Sequence, residues 1–116
     1  MASQKRRGRF HEMANGHISY EIHHGKADLS GLIAYQILPE KYGFSADDPL
    51  DGIDALHIDC HLGDVTIDVA WDAWSGCYIM PVDPPSGDEW IEEIGTYLDS
   101  ILDELDDELF DDENTF

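Results

Sequence analysis

His57, Cys60 and His61 carry a spacing from which a metal site could begin, and His11, His17, His23 and His24 supply further imidazoles. A zinc site needs four ligands that converge in space. On a strand, His57 and His61 share one face while Cys60 takes the other, so this trio cannot close around an ion. His11-Glu12 with His17 is not the helical zinc-protease motif, because the second His comes too late and Asn15-Gly16 intervenes. Ser75 and Cys77 beside Trp74 have no identifiable base. Neither a Gly-flanked nucleophile elbow nor a phosphate-cradling Gly loop occurs. The expectation is a chain without catalytic residues, metal or cofactor, with a His-based metal enzyme as the alternative. Cys60 and Cys77 read as reduced thiols that fill core positions.

Carboxylates dominate what remains. The 116 residues include 26 Asp plus Glu against 6 Lys plus Arg, a formal net charge of −20. Every basic residue (Lys5, Arg6, Arg7, Arg9, Lys26, Lys41) precedes Tyr42, and none follows it. Direct binding to nucleic acid through phosphate neutralisation needs clustered Lys and Arg and is excluded, as is binding to anionic membrane surfaces. No apolar run approaches the roughly 18 residues of a membrane span. The basic start, Met1 to Phe10, has no apolar stretch behind it, so no secretory signal is read and a cytoplasmic location is expected. Carboxylates without local cationic partners repel one another, a cost that a basic partner or high salt would relieve.

The elements that position these groups follow from periodicity. Phe10 to His23 reads as a hairpin around Asn15-Gly16, a type I′ signal that sets Met13 against Ile18 and His11 against Tyr20. Leu29, Leu32, Ile33 and Ile37 fit a helix capped by Asp28 and closed before Pro39, although Ile33, Tyr35 and Ile37 also alternate as in a strand. Pro39 to Gly52 reads as a loop. Leu56, Ile58, Cys60 and Leu62, then Val65, Ile67, Val69 and Trp71, alternate with polar residues on either side of Gly63-Asp64. That turn places Cys60 opposite Ile67, Ile58 opposite Val69, and Asp59 opposite Asp68. A third strand runs from Cys77 to Pro81 after a turn at Ser75-Gly76. Ser86 with Glu89 forms a capping box, and Ile91, Ile94, Leu98, Ile101 and Leu105 form one stripe of a helix over about 87–105. The expected fold is α+β, with an antiparallel sheet of about five strands covered by the C-terminal helix. Its core should include Ile18, Tyr20, Ile58, Val65, Ile67, Val69, Ile91, Ile94, Leu98 and Ile101. Residues 1–9 form a basic mobile arm, 10–105 one domain, and 106–116 a disordered acidic tail.

Like charges that face each other across strands are unfavourable, so the outward row Asp59, Asp64, Asp68 and Asp72 stands out as a partner-binding surface. Glu92, Glu93, Asp99 and Asp103 on the helix assist it. Alternate strand residues lie about 6.8 Å apart, about twice the 3.4 Å axial charge repeat of one DNA strand. A row of Asp could therefore loosely imitate phosphates. Leu109-Phe110 and Phe116 among acids are distantly similar to the acidic tail of bacterial single-stranded-DNA-binding proteins, without its Pro-Phe ending.

The block Ile58-Asp59-Cys60-His61-Leu62-Gly63-Asp64 through Trp71-Asp72-Ala73-Trp74-Ser75-Gly76, followed by Ile79-Met80 and an acidic amphipathic helix, resembles small immunity proteins of bacterial toxin systems. The resemblance is one of style over about residues 53–105 and rests on no diagnostic motif. It implies a cytoplasmic, non-catalytic inhibitor that blocks a basic nuclease toxin. A phage-type DNA mimic acting against a defence protein follows the same electrostatic logic. A salt-adapted acidic domain is the alternative, although such a chain should be acidic throughout and this one begins basic. Whether the protein forms a homodimer stays open.

Overall fold

The protein is described by a computed structural model covering residues 7–82 and 87–111. Strands β1 (Arg9–Glu12) and β2 (Ile18–Ile22) form the first hairpin. A largely helical segment follows: α1 (Ala27–Leu32), a π turn (Ile33–Ile37) and α2 (Leu38–Tyr42). The two-residue strands β3 (Ser45–Ala46) and β4 (Leu50–Asp51) precede the long β5 (Ala55–Leu62), β6 (Val65–Asp72) and β7 (Gly76–Pro81). Helix α3 (Gly87–Ile101) ends in a 3₁₀ turn, Leu102–Glu104. The seven strands form one antiparallel sheet in the order β1-β2-β7-β6-β5-β3, with β4 also on β5. The α+β class follows.

One face of this sheet is covered. Tyr20, Ile22, Ile58, Cys60, Ile67, Val69, Cys77 and Ile79 bury against Leu29, Ile33 and Ala34 of the first helical segment and Ile91, Ile94 and Leu98 of α3. All of the expected core residues join this cluster, with Ile18, Val65 and Ile101 at its partly exposed margin. Both thiols are free and buried, and burial pushes each up to about 12. Ser30 inside α1 donates to the Ala70 carbonyl, satisfying its buried hydroxyl and tying the helix to β6.

The β5–β6 hairpin has the register expected from its alternation: Cys60 pairs with Ile67, Ile58 with Val69 and Asp59 with Asp68. Gly63 alone takes positive φ (58°) in its two-residue turn, as the first central position of a type II′ turn requires. The first hairpin differs by one residue. Phe10 pairs with Tyr20 and His11 with Ser19. Gly16 adopts φ 88° while Asn15 does not take positive φ, and Met13 N donates to His17 O at 2.7 Å around a three-residue loop. This type I turn with a Gly bulge inserts one residue relative to type I′, which moves Phe10 to the core face and His11 to the open face.

Helix α1 opens at Lys26 without a side-chain cap, so Asp28 lies inside the first turn rather than capping it. The helical path also continues through Pro39 instead of stopping before it. Leu38 N bonds to Ile33 O, an i→i+5 link, and Pro39, which has no N–H to donate, follows this wider turn at the start of α2. The span 39–52 is thus part helix and part short strand. The proposed Ser86 cap and the Pro84-Pro85 break lie outside the described residues.

The chain ends differ from the expected arm and tail where they are described. Lys5 and Arg6 lie outside the described residues, but Gly8 N donates to Asp99 and Arg9 already belongs to β1. Residues 107–109 form a 3₁₀ turn, Phe110 is buried and bridges Gly25, and Asp111 N donates to His24 O at 2.7 Å. Residues 112–116, including Phe116, lie outside the described residues.

Candidate functional site: the open sheet face and its carboxylates

The uncovered face is built by the alternate residues that point away from the helices. The registers place Arg9, His11, Glu21, Tyr78, Met80, Thr66, Asp68, Asp72, His57, Asp59 and His61 on it. It is a mixed face of imidazoles, carboxylates and an aromatic ring rather than a uniform acidic row. Asp59 and Asp68 do face each other across β5 and β6, and Asp72 lies further along β6 on the same side. Asp64 belongs to the exposed turn at the end of the hairpin.

The acids of that row have different surroundings. Asp68 is only 5% exposed, so it cannot present its carboxylate to a partner. Its Oδ2 meets His57 Nδ1 at 2.8 Å, while Oδ1 is buried with no hydrogen-bond partner. Burial outweighs the pull of His57 and holds the Asp68 carboxyl above the usual carboxylate range. Asp72 is a turn residue: its Oδ1 accepts from the backbone N–H groups of Trp74 and Ser75. The same side-chain-to-backbone logic makes Asp favoured in tight turns. Sequence reasoning missed the His57–Asp68 pair although its own register contained it, because Asp59 opposite Asp68 makes His57 the diagonal neighbour of Asp68.

A raised carboxyl pKa has a definite sign. The folded chain holds the Asp68 proton more tightly than the unfolded chain, so this group favours folding more strongly as pH falls toward the ordinary carboxylate value. Wild-type protein should therefore gain stability relative to Asp68→Asn as pH is lowered from 7 to 4. Urea midpoints of both proteins across that range measure it. A gap that does not change with pH would contradict the account.

Histidines supply the local partners that the absence of Lys and Arg after residue 41 seemed to deny. Besides His57–Asp68, His61 Nε2 meets Asp47 at 2.8 Å and its Nδ1 meets Thr66 Oγ1 at 3.0 Å. His17 Nδ1 lies 3.2 Å from Asp88, whose other oxygen accepts from Ile18 N and ties the first hairpin to the start of α3. The Ile18 N–H, with His17, holds the Asp88 carboxyl below its ordinary range. As the strand geometry requires, His57 and His61 share one face and Cys60 takes the other. Among the described residues, no group of three or more His, Cys, Asp or Glu converges in a way that could hold a metal ion.

The helix acids are not continuous with the sheet row. Helix α3 lies on the covered face, so Glu92, Glu93, Asp99 and Asp103 stand on the far side of the sheet from Asp59 and Asp72. The single surface expected from the two groups does not form. Asp99 accepts from Gly8 N and from the buried Tyr20 hydroxyl, which burial and this carboxylate push far above its ordinary pKa. Glu93 accepts from Tyr42, whose hydroxyl is likewise pushed up by burial first and Glu93 second. Glu92, Glu93 and Asp103 remain exposed.

The fold and these surroundings define the class: an α+β protein with one helix-covered and one open sheet face, and an acid-rich exterior whose inward carboxylates serve structure. No family model matches the chain, and comparisons with curated proteins and with solved structures gave no match. Among the described residues, no helix is long and apolar enough to cross a membrane.

Proposed function

We propose that this protein is a non-enzymatic acidic inhibitor that binds and blocks a basic, nucleic-acid-acting protein, in the manner of a toxin immunity protein or a DNA mimic. The observation that carries the reading is the exposed carboxylate surface after residue 41. Asp47, Asp48, Asp51, Asp54, Asp64, Glu92 and Glu93 are exposed, and no Lys or Arg occurs between Tyr42 and Asp111 to neutralise them. Such a surface speeds encounter with a cationic partner and competes with nucleic acid for the same charges. A cytoplasmic setting is part of the proposal, since both free thiols are then kept reduced. The neutral-to-basic first third argues against adaptation to high salt, which would acidify the whole exterior.

Immobilised full-length protein, exposed to lysate at low salt, should retain a basic nucleic-acid-acting protein. Raised salt or added duplex DNA should release it. Retention of no basic protein, or retention that neither salt nor DNA disturbs, would overturn the reading.

A further inference from the structure

Two of the largest exposed apolar side chains lie on adjoining loops at one end of the sheet. Ile53 is 99% exposed and Trp74 is 77% exposed, each at the tip of a loop. The two loops are joined, because Ala73 N donates to Asp54 O at 3.1 Å. Each is also fixed internally. Gly52 N bonds to Ala55 O at 2.7 Å beneath Ile53, and Asp72 Oδ1 accepts from Trp74 N at 2.9 Å. Leu50, 71% exposed, extends the apolar surface along β4 onto the open face beside His57.

We propose that this Ile53–Trp74 end, with Leu50, is the docking surface for the basic partner, and that the partner offers an apolar recess bordered by Lys and Arg. The proposal rests on the function proposed above and deepens it by placing the contact. Trp is the residue most enriched among side chains that dominate interface energies, and rigid loops lose little freedom on binding. Isolated exposed hydrophobes are ordinary, but three large ones on adjoining, hydrogen-bonded segments gather apolar surface at one end of the sheet. Charge decides what covers it. Asp51 and Asp54 are exposed beside Ile53, Asp47 and Asp48 are exposed in the concavity they share with Leu50, and the segments that build the patch contain no Lys or Arg. A second copy of a chain with net charge −20 would bring like charges together there, whereas a cationic rim would meet opposite ones.

The test uses the full chain and two probe peptides of equal positive charge, one alternating Leu with Lys and one of Lys alone. Wild-type protein should bind the Leu-Lys peptide about 10-fold more tightly than the Lys peptide. Ile53→Ser with Trp74→Ser should abolish that preference while leaving Lys-peptide binding in place. Both side chains are exposed, so the fold should survive, and circular dichroism checks it. Val82→Ser, which alters an exposed apolar residue at the opposite end of the sheet, should keep the preference. A preference that persists in the double variant overturns the docking surface. So does a wild-type dimer in sedimentation that the double variant dissociates, since the occupant is then a second copy. Failure of the function itself reads out differently, as no basic protein retained by the intact wild-type chain at low salt.

Discussion

Replacing Phe110 by Ala should destabilise the free protein by about 3 kcal/mol, near the lower end for a buried Phe. The side chain is 8% exposed and belongs to the same apolar cluster as Leu29 and Cys77. Its backbone is held on both sides: Lys26 N donates to Leu109 O at 2.9 Å and Asp111 N to His24 O at 2.7 Å. Asp106 starts the turn that aims it inward, accepting from Glu108 N. The loss therefore combines a cavity with the release of a segment that closes the β2–α1 connection. Urea unfolding of the two proteins measures it. A change below about 1 kcal/mol would mean that Phe110 and its segment dock only loosely. The contrast is with a solvated acidic tail, in which this substitution would change nothing.

Why that docking escaped the sequence is instructive. Two apolar residues in a run of acids give no period, and their burial depends on His24–Lys26, distant in the chain and themselves irregular. Long elements behaved differently. The alternation from Leu56 to Trp71 fixes which side chains share a face, and one Gly at 63 then fixes the register of eight residue pairs. The stripe Ile91, Ile94 and Leu98 likewise locates α3 against the sheet. Short elements carry no such redundancy: β3 and β4 have two residues each, too few for any period to show. Asn15-Gly16 marks a turn correctly, but two turn types share it. The choice between them moves every side chain of β1 to the other face.

The candidate site was legible to a different degree. Acidity and its polarity along the chain are sequence facts, yet the use of each carboxylate is not. Asp68, Asp72 and Asp99 read as a repelling surface and instead hold an imidazole, a turn, and a Tyr hydroxyl with the N-terminal strand. Exposed Asp47 and Asp51 fall in the 39–52 span that reads as a loop, and Asp54 falls at the start of the β stretch outside its alternating row. Ile53 and Trp74 were equally hidden, because sequence reports that a side chain is apolar and not that a joined pair of loops leaves it outside.

Gly76→Ala should cost more than about 3 kcal/mol, because strain and collision add. Gly76 has φ 78°, where a residue with a Cβ is strained by about 1 kcal/mol or more. The larger effect is contact. A Cβ there would lie 2.2 Å from His23 O and 2.7 Å from Ile22 O, both backbone atoms that cannot rotate aside. Relief requires β2 and β7 to separate where Ile22 pairs with Cys77, which is also where Gly25 and Phe110 close the end of the core. The same displacement would loosen the 72–76 turn that presents Trp74. Two measurements follow from one variant: a large drop in the urea midpoint, and loss of the preference for the Leu-Lys peptide under conditions where the variant is still folded. Gly63→Ala is the matching control, with φ 58° and nothing within 4 Å of its would-be Cβ, so it should show the conformational strain alone. If both Gly variants lose stability equally, the close approach of β7 to the His23 carbonyl is not what requires a glycine at position 76.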